Sequence, residues 1–276
     1  MRNVGRKLAF VLASSNHGTM IVNRFDYRMQ DGGGIGVGYQ LLERASFDPV
    51  EVELAVQLLE MRRRFFGDGA VGIDCGANIG VHTIEWATAM TGWGSVIAIE
   101  AQERIYYALA GNIAINNAFN AIAMHAAVSS VSGVMNIPEP DYLKASSFGS
   151  LELRQRADNE FIGQPIDYTD GKLVPVQQLA LDDMKLPRVD LIKLDIEGME
   201  MEALEGARQT IERCQPILLI EQIKTGRETL NAWLTTRGYQ PIDAGINIVA
   251  VHQSDPTLQQ LNAARGAAAQ TQSSAA

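Results

Sequence analysis

Cysteine is scarce in this chain of 276 residues, and the two present, Cys75 and Cys214, are too far apart for a metal-ligand pair and too few for a disulfide framework. A reducing, cytoplasmic setting is the simpler expectation. Long hydrophobic runs are missing too: no uninterrupted apolar stretch reaches the roughly 18 residues of a membrane-spanning helix, so no membrane partner is expected. Basic runs stop at the triplet Arg62-Arg63-Arg64, and a formal net charge of -9 repels polyanions, which argues against nucleic acid as a partner. The triplet falls near the end of an expected helix, where cations complement the macrodipole. Gly-x-Ser-x-Gly is absent, as is a paired Cys and His arrangement, which disfavours a covalent hydrolase. The four histidines, His17, His82, His125 and His252, share no ligand spacing with acids, so no metal site is expected. His82, close to the glycine turn described below, is at most an outside candidate for a base.

What is present points to one soluble α/β domain. Hydrophobic residues make up 46% and charged residues 20%, a globular balance, and the length suits a single core with peripheral additions. Arg2, Arg6 and Lys7 ahead of Leu8 to Ala13 have the look of a secretory signal, but six apolar residues are too few, and an opening strand is expected instead. Residues 1–46 read as an irregular extension, with the run from Asp31 to Gly38 as a flexible loop or lid; it lacks the Gly-Lys-Ser/Thr ending of a P-loop. Asp48-Pro49 caps a helix ending near Gly67. Strands at 70–73, 96–99 and 122–125 then alternate with helices at 81–90 and 104–116, the pattern of βαβ units in a parallel sheet. Residues 129–175 interrupt it as an insertion of the kind that shapes a substrate pocket. Regularity returns with a strand at 189–194, a helix from Met199 to about Arg213, a strand at 217–220, a helix at 228–236 and an antiparallel hairpin around Asp243-Ala244-Gly245. The domain is expected over 47–254, followed by a frayed and then disordered tail over 255–276.

The most informative segment is Val71-Gly72-Ile73-Asp74-Cys75-Gly76-Ala77-Asn78-Ile79-Gly80, a strand with a carboxylate at its tip and a glycine turn leading into a helix. Ligands of open α/β sheets sit beyond the carboxyl ends of the strands, and glycine lets the backbone approach them. The spacing is Asp-x-Gly-x-x-x-Gly, which does not satisfy the dinucleotide fingerprint and counts against NAD. The next strand ends at Glu100, where a carboxylate can take both hydroxyls of an unphosphorylated adenosine ribose, as S-adenosylmethionine would present.

Three stretches together make the chain similar to the FkbM family of class I methyltransferases. They are Ile73 to Thr83, then Ala98-Ile99-Glu100 with Gly111-Asn112 and Asn116, and Asp190-Leu191-Ile192-Lys193-Leu194-Asp195-Ile196-Glu197-Gly198-Met199-Glu200. The resemblance implies a Rossmann-like fold: a mostly parallel seven-stranded sheet closed by an antiparallel C-terminal hairpin, with helices on both faces. It also implies S-adenosylmethionine as cofactor, held by Asp74, Gly76, Ala77, Asn78 and Gly80, with Glu100 and Ala101 at the ribose and Ala127, Val128 and Ser129 near the adenine. Family members usually methylate oxygen on sugars, small molecules or natural products, so the implied partner is a small-molecule or glycan acceptor. Cys75 replaces a plain apolar residue of many members, which implies a thiol-sensitive site with cofactor binding intact.

Lys193, Asp195 and Glu197 alternate along a strand and its exit, which places all three on one side. A lysine inside a parallel strand needs a partner, which Asp195 can supply. The pair then either orders the turn before Met199 or belongs to the catalytic group, with Asp195 or Glu197 accepting or orienting the proton of the acceptor hydroxyl. Glu221 and Gln222 could line the same rim, while Ser146, Ser147 and Ser150 read as loop serines. Two other readings stay open: a nicotinamide-dependent oxidoreductase, and a non-catalytic scaffold. Oligomerisation is open as well.

Overall fold

The glycine-rich opening of the chain is not a loop. In the computed structural model, which describes residues 7–30 and 32–263, β1 (Phe10–Ser15) and β2 (Gly18–Asn23) form one antiparallel hairpin, β3 (Arg28–Gln30) and β4 (Gly33–Ile35) a second, and α1 (Val37–Arg44) follows. Glycine serves close packing here: a Cβ on Gly36 or Gly38 would lie 2.5 Å from the carbonyl oxygen of Asp26 or Asn23 respectively. Arg2, Arg6 and Asp31 lie outside the described residues.

The central alternation follows the expectation closely. After α2 (Pro49–Phe66) come β5 (Ala70–Cys75), α3 (Val81–Ala89), β6 (Gly94–Glu100), α4 (Glu103–Ile115) and β7 (Ala121–His125). The stretch expected as an irregular insertion carries structure of its own. β8 (Ala127–Val128), β9 (Gly133–Pro138) and β10 (Leu173–Leu179) form a separate sheet in the order β8-β10-β9. Then come β11 (Leu191–Leu194), α5 (Glu200–Gly206), α6 (Arg208–Cys214), β12 (Ile217–Glu221), α7 (Arg227–Thr236), β13 (Tyr239–Ala244) and β14 (Asn247–His252). Ala207 divides the single helix expected at 199–213 into α5 and α6. The main sheet has seven strands in the order β13-β14-β12-β11-β5-β6-β7. β14 lies antiparallel to both β12 and β13, so it alone runs against the others.

Period two sorts the strand side chains into two apolar layers. Leu191, Ile217, Leu219 and Val249 face one way, with Leu58, Leu59 and Trp86 of α2 and α3. Ile192, Leu194, Leu218 and Ile220 face the other way, against Leu204, Ile211, Leu230 and Leu234 of α5 to α7. Lys193 therefore shares the α2 and α3 side with Leu191, which directs an ammonium group toward the N-terminal ends of those helices.

Arg62 does more than complement a helix end. It is 5% exposed, pairs with Asp190 at 3.2 Å and Asp255 at 2.5 Å, and lies over the Phe66 ring at 3.9 Å. Asp255 is thereby buried, and residues 257–263 are helical; the remainder of the tail, including the segment expected to be disordered, lies outside the described residues. No helix among the described residues is long and apolar enough to cross a membrane.

Candidate active site

The turn after β5 is the hub of the site. Gly76, Asn78 and Gly80 all take positive φ, at 76°, 51° and 92°. The amides of Gly76 and Ala77 both donate to the Ile99 carbonyl at 3.0 Å, which seats the turn against β6. On its other side a Cβ on Gly76 would lie 1.8 Å from the Asp195 carbonyl oxygen, so the turn is wedged between two strand tips. Asp74 was expected to face the ligand, but it is 1% exposed, accepts from Thr83 Oγ1 at 2.7 Å and is not part of the cleft wall. Gly80 caps α3 beneath Leu109 and stands back from the wall, which passes from Ile79 to Val81.

Gly76, Ala77, Asn78, Glu100, Ala101, Ala127 and Val128 line one cleft. Glu100, at the tip of β6, is 6% exposed and accepts from the amides of Gln102 at 2.8 Å and Asn78 at 3.0 Å. Burial nevertheless pushes its carboxyl up to about 7. The Ala101 amide also acts on this carboxyl, and the lone-pair capacity left on it suits a ribose hydroxyl, which fits an adenosyl group. Gln102 donates to the Phe148 carbonyl at 2.8 Å and accepts from Tyr142 at 3.2 Å, and so carries residues 142–148 over this end of the cleft.

The same cleft reaches Lys193, Asp195 and Glu197 at the β11 exit. Lys193 is 3% exposed with its Nζ 2.7 Å from Asp195 Oδ2. Burial alone would lower its pKa, but the charges of Asp195, Glu51 and Asp74 outweigh that and raise it. The strict alternation ends at Asp195, because Glu197 takes φ 56° in the turn; its carboxylate pairs with Lys224. The turn itself is ordered by Glu200, which accepts from the amides of Ile196 and Gly198 at 3.1 Å each. Lys193–Asp195 is therefore not what holds it.

Several wall residues carried no motif signal. Asp48 takes the N-cap position of α2 as expected, but its side chain makes no capping hydrogen bond and lines the cleft, its carboxyl raised by burial and by the charges of Glu51 and Asp195. Glu51 accepts from Asn247 at 2.6 Å and lies 3.2 Å from His82 Nε2; burial opposes its ionisation, but His82, Lys193 and Asn247 bring it down to about 2. Glu221 joins the wall, whereas Gln222 bonds back to Gly245 at 2.9 Å. Ser147 and Ser150 line the cleft too, their hydroxyls 2.9 Å apart. Lys224, which also reaches Glu160 at 3.2 Å, stands in the loop after β12, outside any recognised pattern. Oxygens of Asp195, Glu197 and Glu221 fall within 4.8 Å of one another, a spacing a metal ion could bridge. Lys193 and Lys224 already supply two positive charges there, so the cluster has side-chain counter-ions. The expected thiol sensitivity does not follow: Cys75 is fully buried, and burial with the Asp74 charge pushes its thiol pKa up, away from the reactive thiolate.

A sheet in this order, with one reversed strand beside its edge, a glycine turn at the central tip and a carboxylate on the neighbouring tip, defines the class I methyltransferase fold. The family model described as Methyltransferase FkbM domain matches residues 74–241, and the chain belongs to that family of S-adenosylmethionine-dependent methyltransferases. It is 29% identical over 153 residues to the methyltransferase sdnD of Sordaria araneosa, a match covering 49% of this chain and 59% of that relative. Among solved structures it is similar to methyltransferase FkbM from Methylobacillus flagellatus, with 17% identity, a TM-score of 0.48, and coverage of 70% of this chain and 48% of that one. Similarity extends to TYW2 of M. jannaschii, at 15% identity and a TM-score of 0.41, covering 90% of this chain and 86% of that one.

Proposed function

We propose that the protein transfers the methyl group of S-adenosylmethionine to a hydroxyl of a sugar, glycan or small natural product. The observation that carries this reading is the continuity of one cleft, from Glu100 at the adenosyl end to Lys193, Asp195 and Glu197 at the other. Gly76, Ala77 and Asn78 hold the cofactor's middle, Glu100 and Ala101 its ribose, and Ala127 and Val128 its base. The bound cofactor supplies a methyl group already activated on a cationic sulfur. What the chain adds is alignment, since bringing acceptor oxygen, methyl carbon and sulfur into line removes much of the barrier. Lys193 fixes Asp195 at 2.7 Å, and Asp195 with Glu197 then orients the acceptor hydroxyl. Ile35, Gly36, Val37 and Gln40 of the N-terminal segment and Ser147, Gly149, Ser150, Leu151 and Leu153 of the insertion complete the wall.

Charge argues against a dinucleotide. Asp48, Glu51, Glu100, Asp195, Glu197 and Glu221 line the cleft with Lys193 and no arginine, and even with Lys224 paired to Glu197 and a proton on Glu221 the acids outnumber the cations, which favours a sulfonium over a pyrophosphate. Transfer of labelled methyl from the cofactor into a panel of sugars and hydroxylated natural products tests the proposal. Asp195→Asn is expected to lower turnover by roughly 10²-fold or more while the cofactor's dissociation constant stays within a few-fold. Undiminished turnover in that variant would remove Asp195 from the catalytic group.

A further inference from the structure

We propose that Glu221 is the proton acceptor of the transfer, taking the hydroxyl proton as the methyl group arrives. This role rests on the methyltransferase reading above and names the member of the acidic cluster that no lysine is paired with. Asp195 Oδ2 is occupied by Lys193 Nζ at 2.7 Å, and Glu197 Oε2 by Lys224 Nζ. Glu221 Oε2 is sealed from solvent without a hydrogen-bond partner, although the residue lines the cleft. A buried carboxyl oxygen in that state has no partner, and burial without one is costly. An acceptor hydroxyl supplies the missing donor and so is drawn to the place where its proton must leave.

The surroundings hold a proton there. From β11 comes Lys193, from the turn after it Asp195 and Glu197, from α5 Glu200 and from the loop after β12 Lys224; Asn247 of β14 stands opposite in the sheet register. Burial, then the charges of Asp195 and Glu200, push the Glu221 carboxyl up to about 8 against the pull of Lys193 and Lys224. In the transfer the oxygen–carbon bond forms, the carbon–sulfur bond breaks with its electron pair left on sulfur, and the O–H proton passes to Glu221. Charge within the cleft is conserved: a carboxylate beside a sulfonium becomes a carboxylic acid beside a neutral thioether. Glu221 thus carries a proton in the free protein, gives it up to solvent when the cationic cofactor binds, and regains one from the acceptor.

Calorimetric titration of the full chain at pH 7.5, in phosphate and in Tris, counts the protons exchanged. A group titrating at about 8 is roughly three-quarters protonated at that pH, so release of about 0.5 to 0.8 proton per S-adenosylmethionine is expected. S-adenosylhomocysteine, which lacks the methyl and its charge, is expected to release less than about 0.2. The difference should vanish above about pH 9.5 in the wild type, a test that needs no variant, and should be lost in Glu221→Gln. Equal release by the two ligands, release that does not change with pH, or an undiminished difference in Glu221→Gln would overturn the role. Heat from neither ligand would instead overturn the methyltransferase reading, and this role with it.

Discussion

At the scale of single residues, the tightest constraint falls on Gly76. Its φ of 76° and the 1.8 Å that would separate a Cβ from the Asp195 carbonyl leave no room for any side chain. Gly76→Ala is expected to cost on the order of 3 kcal/mol and to abolish cofactor binding, measured by thermal unfolding and calorimetry. Glu100→Gln should leave the fold intact and weaken S-adenosylmethionine binding roughly 10- to 100-fold, the worth of charge-assisted hydrogen bonding to the ribose. Unchanged affinity in that variant would remove Glu100 from the ribose site. Glu100 and Gly76 were legible because a strand tip and a glycine turn are local features. The neighbouring Asp74 shared that local pattern, yet the helix that follows folds Thr83 back onto it, a contact made nine residues on that spacing alone does not show. Asp48, Glu51 and Asn247 were illegible for a related reason: they reach the cleft from α2 and β14, far from the strand tips in sequence.

At the scale of elements, α4 explains the family's glycine and asparagines. Asn112, fully buried, accepts from the Ile21 amide at 2.5 Å and donates to the Ile79 carbonyl at 2.8 Å, while Asn116 pairs with both backbone groups of Thr19. A Cβ on Gly111 would sit 2.5 Å from Ile21 Cδ1. These side chains act as an extra strand edge that docks the β1–β2 hairpin and, through Ile79, steadies the cofactor turn. The covering segment is fastened from the other side. Lys224 meets Glu197, Glu160 at 3.2 Å and Glu152 at 3.9 Å, Arg28 meets Glu160 at 2.6 Å, and Arg156 donates to the Gly198 carbonyl. Lys224→Met removes the shared counter-ion, and breaking such a pair costs about 3 kcal/mol or more. Faster amide hydrogen exchange confined to residues 147–163 and the 196–198 turn is the expected result; unchanged protection there would show that Lys224 does not hold the cover. None of these fastenings has a local signature. The parallel strands were legible because burial on both faces makes them continuous apolar runs, such as Ile217-Leu218-Leu219-Ile220. Of the first 46 residues the opening strand was legible as the apolar run at Leu8 to Ala13, but its hairpin partner and the second hairpin were not, and Gly36 and Gly38 answer to contacts with Asp26 and Asn23 at the start of α1.

At the scale of the molecule, the fold buries ionisable groups in and beside the cleft whose protons are linked to folding. Burial, first among the causes, raises Asp26 to about 6, Glu100 to about 7 and Glu221 to about 8. Each binds its proton more tightly folded than unfolded, so the stability it contributes is full below its unfolded value and is lost as pH rises through those figures. Glu51, brought down to about 2, has the opposite sign: its contribution is present above its unfolded value near 4.5 and lost as pH falls toward 2. The free protein is therefore expected to melt at a higher temperature at pH 6 than at pH 8.5 by scanning calorimetry, and a melting temperature that rises over that interval would contradict these assignments. A bound cationic cofactor should narrow the difference, because it stabilises the ionised carboxylates. The central claim is that the cleft is a seat for S-adenosylmethionine, and direct titration of the wild-type chain with that compound, its demethylated product and NAD tests it. The expected result is a dissociation constant below about 100 μM for the first two and no binding of NAD; no heat and no thermal shift with S-adenosylmethionine at millimolar concentration would contradict it.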